Sequence, residues 1–119
     1  MPVILIVDDS RVARLSLRRM VSAIAPDAEF LEAGSVDEAL SVVAGTAIDL
    51  AVIDYNMPEK TGLELAEDLR TSAPSVRLAL CTANIQDAVI ERARNLGMAF
   101  IPKPPDTAVL TAFITGSAP

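Results

Sequence analysis

Two adjacent carboxylates at Asp8-Asp9, a third at Asp54, a hydroxyl at Thr82 and an ammonium at Lys103 each end a separate apolar run. Three carboxylates brought together repel, and they raise one another's pKa unless a cation is present. One lysine ammonium does not balance them. A hard divalent cation would, and with oxygen donors alone on offer Mg²⁺ is favoured over zinc or copper, with Mn²⁺ as a substitute. Mg²⁺ keeps waters and is commonly completed by phosphate. A carboxylate beside that cation and a fixed ammonium can attack phosphorus and become an aspartyl phosphate. The cation, the ammonium and the Thr82 hydroxyl would offset charge on the phosphoryl oxygens. Asp54 stands alone at the tip of its run and is the expected nucleophile, while the paired Asp8-Asp9 are the expected metal-holding group.

Such distant residues can meet only if a fold gathers the ends of their runs. Apolar runs alternate with helical patterns five times along the chain. Val3 to Val7 is apolar on successive residues, as a strand covered on both faces should be. Ser10 is a plausible N-cap for a helix reaching about Ile24, with Ala13, Leu17, Met20, Val21 and Ile24 on one face. After Pro26-Asp27, Glu29 to Ala33 reads as a second strand. Ser35 with Glu38 reads as a capping box, Val36, Ala39, Leu40 and Val43 form the inward stripe, and Gly45 ends the helix. Leu50 to Ile53 is the third strand, and a helix over about Gly62 to Thr71 turns Leu65, Ala66 and Leu69 inward. Val76 to Cys81 is the fourth strand, followed by a helix over about Gln86 to Asn95 closed by Gly97. Met98 to Ile101 is the fifth strand, and about Asp106 to Thr115 is a short, mostly apolar helix. Gly116 to Pro119 reads as a frayed tail.

Strands alternating with helices imply an α/β fold, (βα)5, with a doubly wound parallel five-stranded sheet. Right-handed crossovers and the flavodoxin-like order 2-1-3-4-5 place strands 1 and 3 side by side. Ligands of such sheets bind outside the carboxyl ends of the strands at this switch point, where Asp8-Asp9 and Asp54 would meet. The 119 residues suit one domain, 1–119, with an ordered core over about 2–115.

Composition narrows the function. Hydrophobic residues make up 51% and aromatics 3%, so the core must be aliphatic and disorder is not expected. With no His, the chain cannot form a Ser-His-Asp or Cys-His catalytic centre or a His-based metal site. Cys81 is the sole cysteine, inside an apolar run, and reads as a buried structural thiol in a cytoplasmic protein. No run is long enough to span a bilayer. The net charge of −6 argues against direct nucleic-acid binding. Arg11, Arg14, Arg18 and Arg19 fall in the first helix and read as a solvated face.

Alone, each site residue is ordinary: an acidic pair can be a loop and cap, Thr82 a turn residue, Lys103 a solvated lysine. Jointly they are specific. Val7-Asp8-Asp9-Ser10 after strand 1, Asp54-Tyr55-Asn56-Met57-Pro58 with Gly62 after strand 3, Cys81-Thr82-Ala83 after strand 4 and Phe100-Ile101-Pro102-Lys103-Pro104 after strand 5 resemble the receiver domains of two-component response regulators, and the stand-alone chemotaxis receiver in particular. The resemblance covers essentially the whole chain. It implies that Asp54 accepts a phosphoryl group from a histidine of a sensor histidine kinase or a phosphotransfer protein. It implies Mg²⁺ held by Asp9, Asp54 and the backbone carbonyl of Asn56, with Asp8 acting through water. Thr82 and Lys103 would bind phosphoryl oxygens, a cis Lys103-Pro104 bond would aim the lysine, and small Ala83 would leave room. It also implies a switch in which Thr82 moves and Phe100 turns inward, changing the face of helix 4, strand 5 and helix 5 that a downstream effector or output domain reads. Asn56 and Asn84, each two residues past a site residue, are expected to tune phosphate lifetime.

Two other functions use similar ingredients. A Mg²⁺-dependent phosphohydrolase with an aspartyl-phosphate intermediate would want an Asp-x-Asp pattern after strand 1 and a cap, whereas here the aspartates are adjacent and the loops short. A flavin module would want a phosphate-binding glycine loop after strand 1, where this chain is acidic. A receiver that works without phosphate would lack a site residue, and none is missing. No output domain is visible in the sequence.

Overall fold

The computed structural model describes residues 2–116. Its elements run β1 (Val3–Val7), α1 (Arg11–Ile24), β2 (Glu29–Ala33), α2 (Val36–Gly45), β3 (Leu50–Ile53), α3 (Gly62–Ser72), β4 (Arg77–Thr82), α4 (Asp87–Asn95), β5 (Ala99–Pro102) and α5 (Thr107–Thr115). All strand pairs are parallel, in the order β2-β1-β3-β4-β5. This is the expected flavodoxin-like arrangement, with β1 and β3 adjacent.

The pleat sorts the core into two halves. Leu5, Val7, Ala51, Ile53, Leu78 and Leu80 face one side, where Ala39, Leu65, Leu69 and Val89 of α2, α3 and α4 cover them. Ile4, Ile6, Leu50, Val52, Ala79 and Cys81 face the other, under Leu17 and Val21 of α1 and Leu110 and Phe113 of α5. Period-two alternation of two apolar sets explains why these strands are apolar at every position. Cys81 is buried, as expected, and burial pushes its thiol up to about 11, so it stays protonated at neutral pH.

Several boundaries differ from the sequence reading. The Val76 N–H bonds the Ala73 carbonyl in a turn, so β4 starts one residue later; it ends on Thr82, which pairs with Pro102. Polarity of a side chain does not stop a ladder made by backbone groups. Ser35 does cap α2, accepting the Glu38 N–H at 3.1 Å, but the Glu38 carboxylate accepts from Gly34 rather than Ser35, so the expected box is open. The complete capping box is Thr61–Glu64 at the start of α3, a pair that the sequence reading passed over. Gly45 is the last residue of α2, with Thr46 at the cap. Gly116 is no frayed residue: it caps α5 in the left-handed region at φ 74°, which glycine alone adopts cheaply. The rest of the expected tail, 117–119, lies outside the described residues.

Gly62 closes α3 onto the end of β3. Its N–H bonds the Tyr55 carbonyl at 3.0 Å. A Cβ here would stand 2.8 Å from Ile53 Cγ2 and collide with the Asp54 carbonyl oxygen. Backbone cannot yield as a side-chain tip can, so Gly62→Ala is expected to lose at least about 2 kcal/mol of stability, at the upper end for overpacking. A lower urea midpoint with an unchanged slope would register this; an unshifted midpoint would refute the close approach.

Candidate functional site

The ends of β1, β3, β4 and β5 bring the predicted residues together at one sheet edge. Asp8, Asp54 and Thr82 are the buried polar side chains among the described residues, at 5%, 7% and 0% exposure. Asp9, one residue on, is exposed. Carboxylate oxygens of Asp8, Asp9 and Asp54 lie within 4.8 Å of one another.

Lys103 joins them. Its Nζ donates to Asp8 Oδ2 at 2.6 Å and stands 3.6 Å from Asp54 Oδ2. Its backbone N–H donates to the Thr82 carbonyl at 2.9 Å, which ties the lysine to the end of β4. The Lys103–Pro104 peptide is cis, as expected. Asp8 is held on both oxygens, since Oδ1 accepts the Ser10 N–H at 2.9 Å.

The charges explain one another. Burial pushes Asp54 above the usual carboxylate range; the Lys103 charge opposes this, Asp8 adds to it, and the Asn56 backbone N–H and the Thr82 hydroxyl favour the ionised form without prevailing. Burial disfavours the Lys103 ammonium, but its hydrogen bond to Asp8 and the charges of Asp54 and Asp8 outweigh that and hold its pKa above the ordinary value. One ammonium thus leaves a surplus of negative charge at the mouth. The donor set, three clustered carboxylates with no thiolate or imidazole among them, fits a hard cation of the Mg²⁺ type.

Thr82, whose hydroxyl favours the Asp54 anion, also serves the next loop. Its Oγ1 accepts the Asn84 N–H at 3.2 Å, and Asn84 Oδ1 in turn accepts the Gln86 N–H at 3.1 Å. Asn84 thus spends its carbonyl on the turn that starts α4. Asn56 sits exposed in the β3–α3 loop, and Ala83 is exposed beside Thr82. That β3–α3 loop contains Glu59 at φ 69°, around which the Lys60 N–H bonds the Pro58 carbonyl at 2.7 Å, a strained three-residue turn.

Asp8, Asp54 and Lys103 line a cavity of about 140 Å³ with Ala13, Leu17, Val52, Cys81 and Pro104, on the α1 and α5 side. Phe100 packs instead with the half-core of Leu78, Leu80 and Val89, on the α4 side. It also lines an open groove of about 1090 Å³ with Arg94, Met98, Val109 and Phe113.

The sequence reading of the α1 arginines needs correction. Arg11 and Arg19 are exposed. Arg14 is 17% exposed and turns inward, with Nε on Glu32 Oε1 at 3.0 Å and Nη1 on the Asp8 carbonyl at 2.6 Å. Arg18 pairs with Glu32 Oε2 at 3.0 Å and lies over the Phe30 ring. Burial raises the Glu32 pKa, but the two arginines more than offset it and lower the value overall. The available signal was position: Arg14 sits one turn after the Ser10 cap, where a long side chain leans back over the acidic loop.

No helix of the described residues is long and apolar enough to cross a membrane. Residues 4–115 match the family model described as the response regulator receiver domain. The chain is 38% identical over 108 residues to the response regulator MprA of Mycobacterium sp. (strain KMS), covering 87% of this chain and 45% of that protein. It therefore spans about half the length of the curated relatives it matches. Its fold is similar to a CheY-like receiver domain protein from Methanospirillum hungatei JF-1, with a TM-score of 0.89 at 24% identity over 98% of this chain and 93% of that one. It is equally similar to the signal receiver domain of an HD domain-containing protein from Pseudomonas fluorescens Pf-5, at 0.89 and 25% identity over 97% and 92%. By its match to the family model over nearly its whole length and by its identity to MprA, the chain belongs to the response regulator receiver domain family.

Proposed function

We propose that this chain, as a single receiver unit, is a phosphoacceptor switch of a histidine-to-aspartate relay, with Asp54 as the acceptor. The observation that carries the reading is a buried carboxylate at the tip of β3, 3.6 Å from a lysine ammonium and clustered with two further carboxylates. An Asp54 carboxylate oxygen attacks the phosphorus of a phosphohistidine on a sensor kinase or phosphotransfer protein. The O–P bond forms as the P–N bond breaks, and the electron pair returns to the donor's imidazole. Lys103 and the Thr82 hydroxyl donate to the phosphoryl oxygens. Asp9, Asp54 and the Asn56 carbonyl would hold Mg²⁺ or Mn²⁺, with Asp8 through water, and the bound ion would neutralise charge on the transferring group. The exchange belongs to the cytoplasm on this reading.

The modified aspartate, rather than a released product, is the output, so the chain is a switch and not an enzyme acting on external substrates. Phosphoryl binding draws the Thr82 hydroxyl, already beside Asp54, off its Asn84 N–H contact and onto the phosphoryl oxygens. Space then opens on the α4 side, where Phe100 can turn inward and alter the α4–β5–α5 face for an effector or output domain. Phe has no hydroxyl, so its movement must act through shape. Asn56 in the β3–α3 loop and the Asn84 amide nitrogen would order or exclude the water that ends the signal.

A small phosphodonor such as acetyl phosphate with Mg²⁺ is expected to add one phosphoryl group by mass, and chelator or Asp54→Ala to abolish it. Uptake by Asp54→Ala equal to wild type would remove the assignment.

A second expectation concerns pH. The folded pKa of Asp54 lies above the ordinary 3.8. Between those two values the folded state binds more protons than the unfolded, so this group's stabilising contribution is present below 3.8 and lost as pH rises through the folded pKa. Asp54→Asn, neutral throughout, is expected to raise Tm at pH 7 without Mg²⁺ and to match wild type in the acid range. Saturating Mg²⁺ should narrow the gap by stabilising wild type, by about 2.7 kcal/mol at a hundredfold excess over Kd. Calorimetric melts across pH test this, and a lower Tm for Asp54→Asn at pH 7 would contradict it.

A further inference from the structure

We infer that Arg14 is a positioning residue of the acidic centre: its guanidinium clamps the Asp8 carbonyl and so sets the peptide plane from which Asp9 presents its carboxylate to a divalent cation. The inference rests on the metal-site reading above. Among the described residues no hydrogen bond or ion pair holds the Asp9 carboxylate itself, which is exposed. Its direction therefore depends on its backbone. The Asp8 carbonyl and the Asp9 nitrogen and Cα share one rigid peptide plane, so a group that fixes that oxygen fixes where Asp9 begins.

Arg14 is built for this. Its Nη1 lies 2.6 Å from the Asp8 oxygen while its Nε is held at 3.0 Å by Glu32 of β2. Arg14 is anchored at its base as well, its backbone N–H bonding the Ser10 carbonyl at 3.0 Å. Glu32 is steadied in turn by Arg18 at 3.0 Å. Gly34 lets the guanidinium pass, since a Cβ there would lie 3.3 Å from Nη1. The planar fork makes two directed bonds that a lysine cannot make together.

The sign of the effect separates positioning from charge. Removing a cation beside a metal site should, by Coulomb's law alone, tighten Mg²⁺ binding. Loss of a clamp should weaken it. Tyr55 is the sole tyrosine, there is no Trp, and it adjoins Asp54, so its fluorescence can follow a MgCl₂ titration, checked by calorimetry. In Arg14→Ala the Mg²⁺ Kd is expected to rise roughly tenfold, the low end of what partners of metal ligands contribute. Arg14→Lys, which keeps the charge and loses the fork, is expected to remain weakened, and Glu32→Gln to show a smaller rise. Unchanged or tighter binding by Arg14→Ala, or full recovery by lysine, overturns the inference. So does a fall in Tm with no change in Kd, the mark of a merely structural clamp. If Arg14→Ala does not fold, Glu32→Gln carries the test, and an unchanged Kd there overturns it. Wild type that fails to bind Mg²⁺ removes the metal reading itself, whereas wild type that binds alongside an unaffected Arg14→Ala removes only this inference.

Discussion

Lys103 has to reach from the end of β5 to Asp8 at the end of β1. Three strand spacings separate those strands, roughly 14 Å at 4.8 Å each. Side-chain length alone does not cover this, so the β5–α5 loop must lean across the sheet edge. The 2.6 Å contact with Asp8 and the 3.6 Å approach to Asp54 are the result. Much else follows from holding that bridge. The lysine N–H on the Thr82 carbonyl fixes the loop at β4, and the Ser10 N–H fixes the other oxygen of Asp8. Without the ammonium, two nearly buried carboxylates would face each other uncompensated, which proteins avoid by protonating one of them. With it, three clustered carboxylates still outnumber the one ammonium by two, a surplus that on the proposed reading a divalent cation would neutralise.

The same pleat that splits the core splits the work. Asp8, Asp54 and Lys103 line the small cavity on the α1 and α5 side, while Phe100 belongs to the half-core beneath α4. Thr82 ends β4, fully buried, between β3 and β5. On the proposed reading it is the residue through which an event at Asp54 can be felt by Leu80 and its pairing partner Phe100. Close packing makes such a core respond by discrete rearrangement rather than by smooth compression.

Much of this was legible in the sequence because it depends on periodicity and on strand ends. Five apolar runs separated by helical stripes leave few topologies, and the switch-point rule places Asp8, Asp9 and Asp54 together before any coordinates exist. Lys103 and Thr82 follow from the same logic. What escaped has a common cause: it depends on where a side chain points rather than on where a residue sits. Ser35 and Glu38 have the spacing of a capping box, yet Glu38 bonds one residue short of it, while Thr61 and Glu64 close a box that the sequence reading passed over. Arg14 and Arg18 resemble Arg11 and Arg19 in type and helix position, and only the side of α1 facing Glu32 separates the two pairs. The left-handed caps and turns at Gly116 and Glu59 are likewise properties of local backbone geometry.

These directional details decide how well the site is formed. A carboxylate cluster in water attracts Mg²⁺ weakly, because a hydrated ion gives up its shell only to oxygens already in place. Here Asp8 is fixed at its N–H by the Ala33 carbonyl, at its carbonyl by Arg14, and at its two carboxylate oxygens by Ser10 and Lys103. Asp54 is anchored by its backbone N–H on the Val7 carbonyl, and its own carbonyl lies so near Gly62 that no side chain fits between. Asp9 alone remains exposed. On the proposed reading, two rigid carboxylates and one accessible one would let a cation bind, a phosphoryl group be accepted beside it and both be released, which a fully enclosed cage could not do.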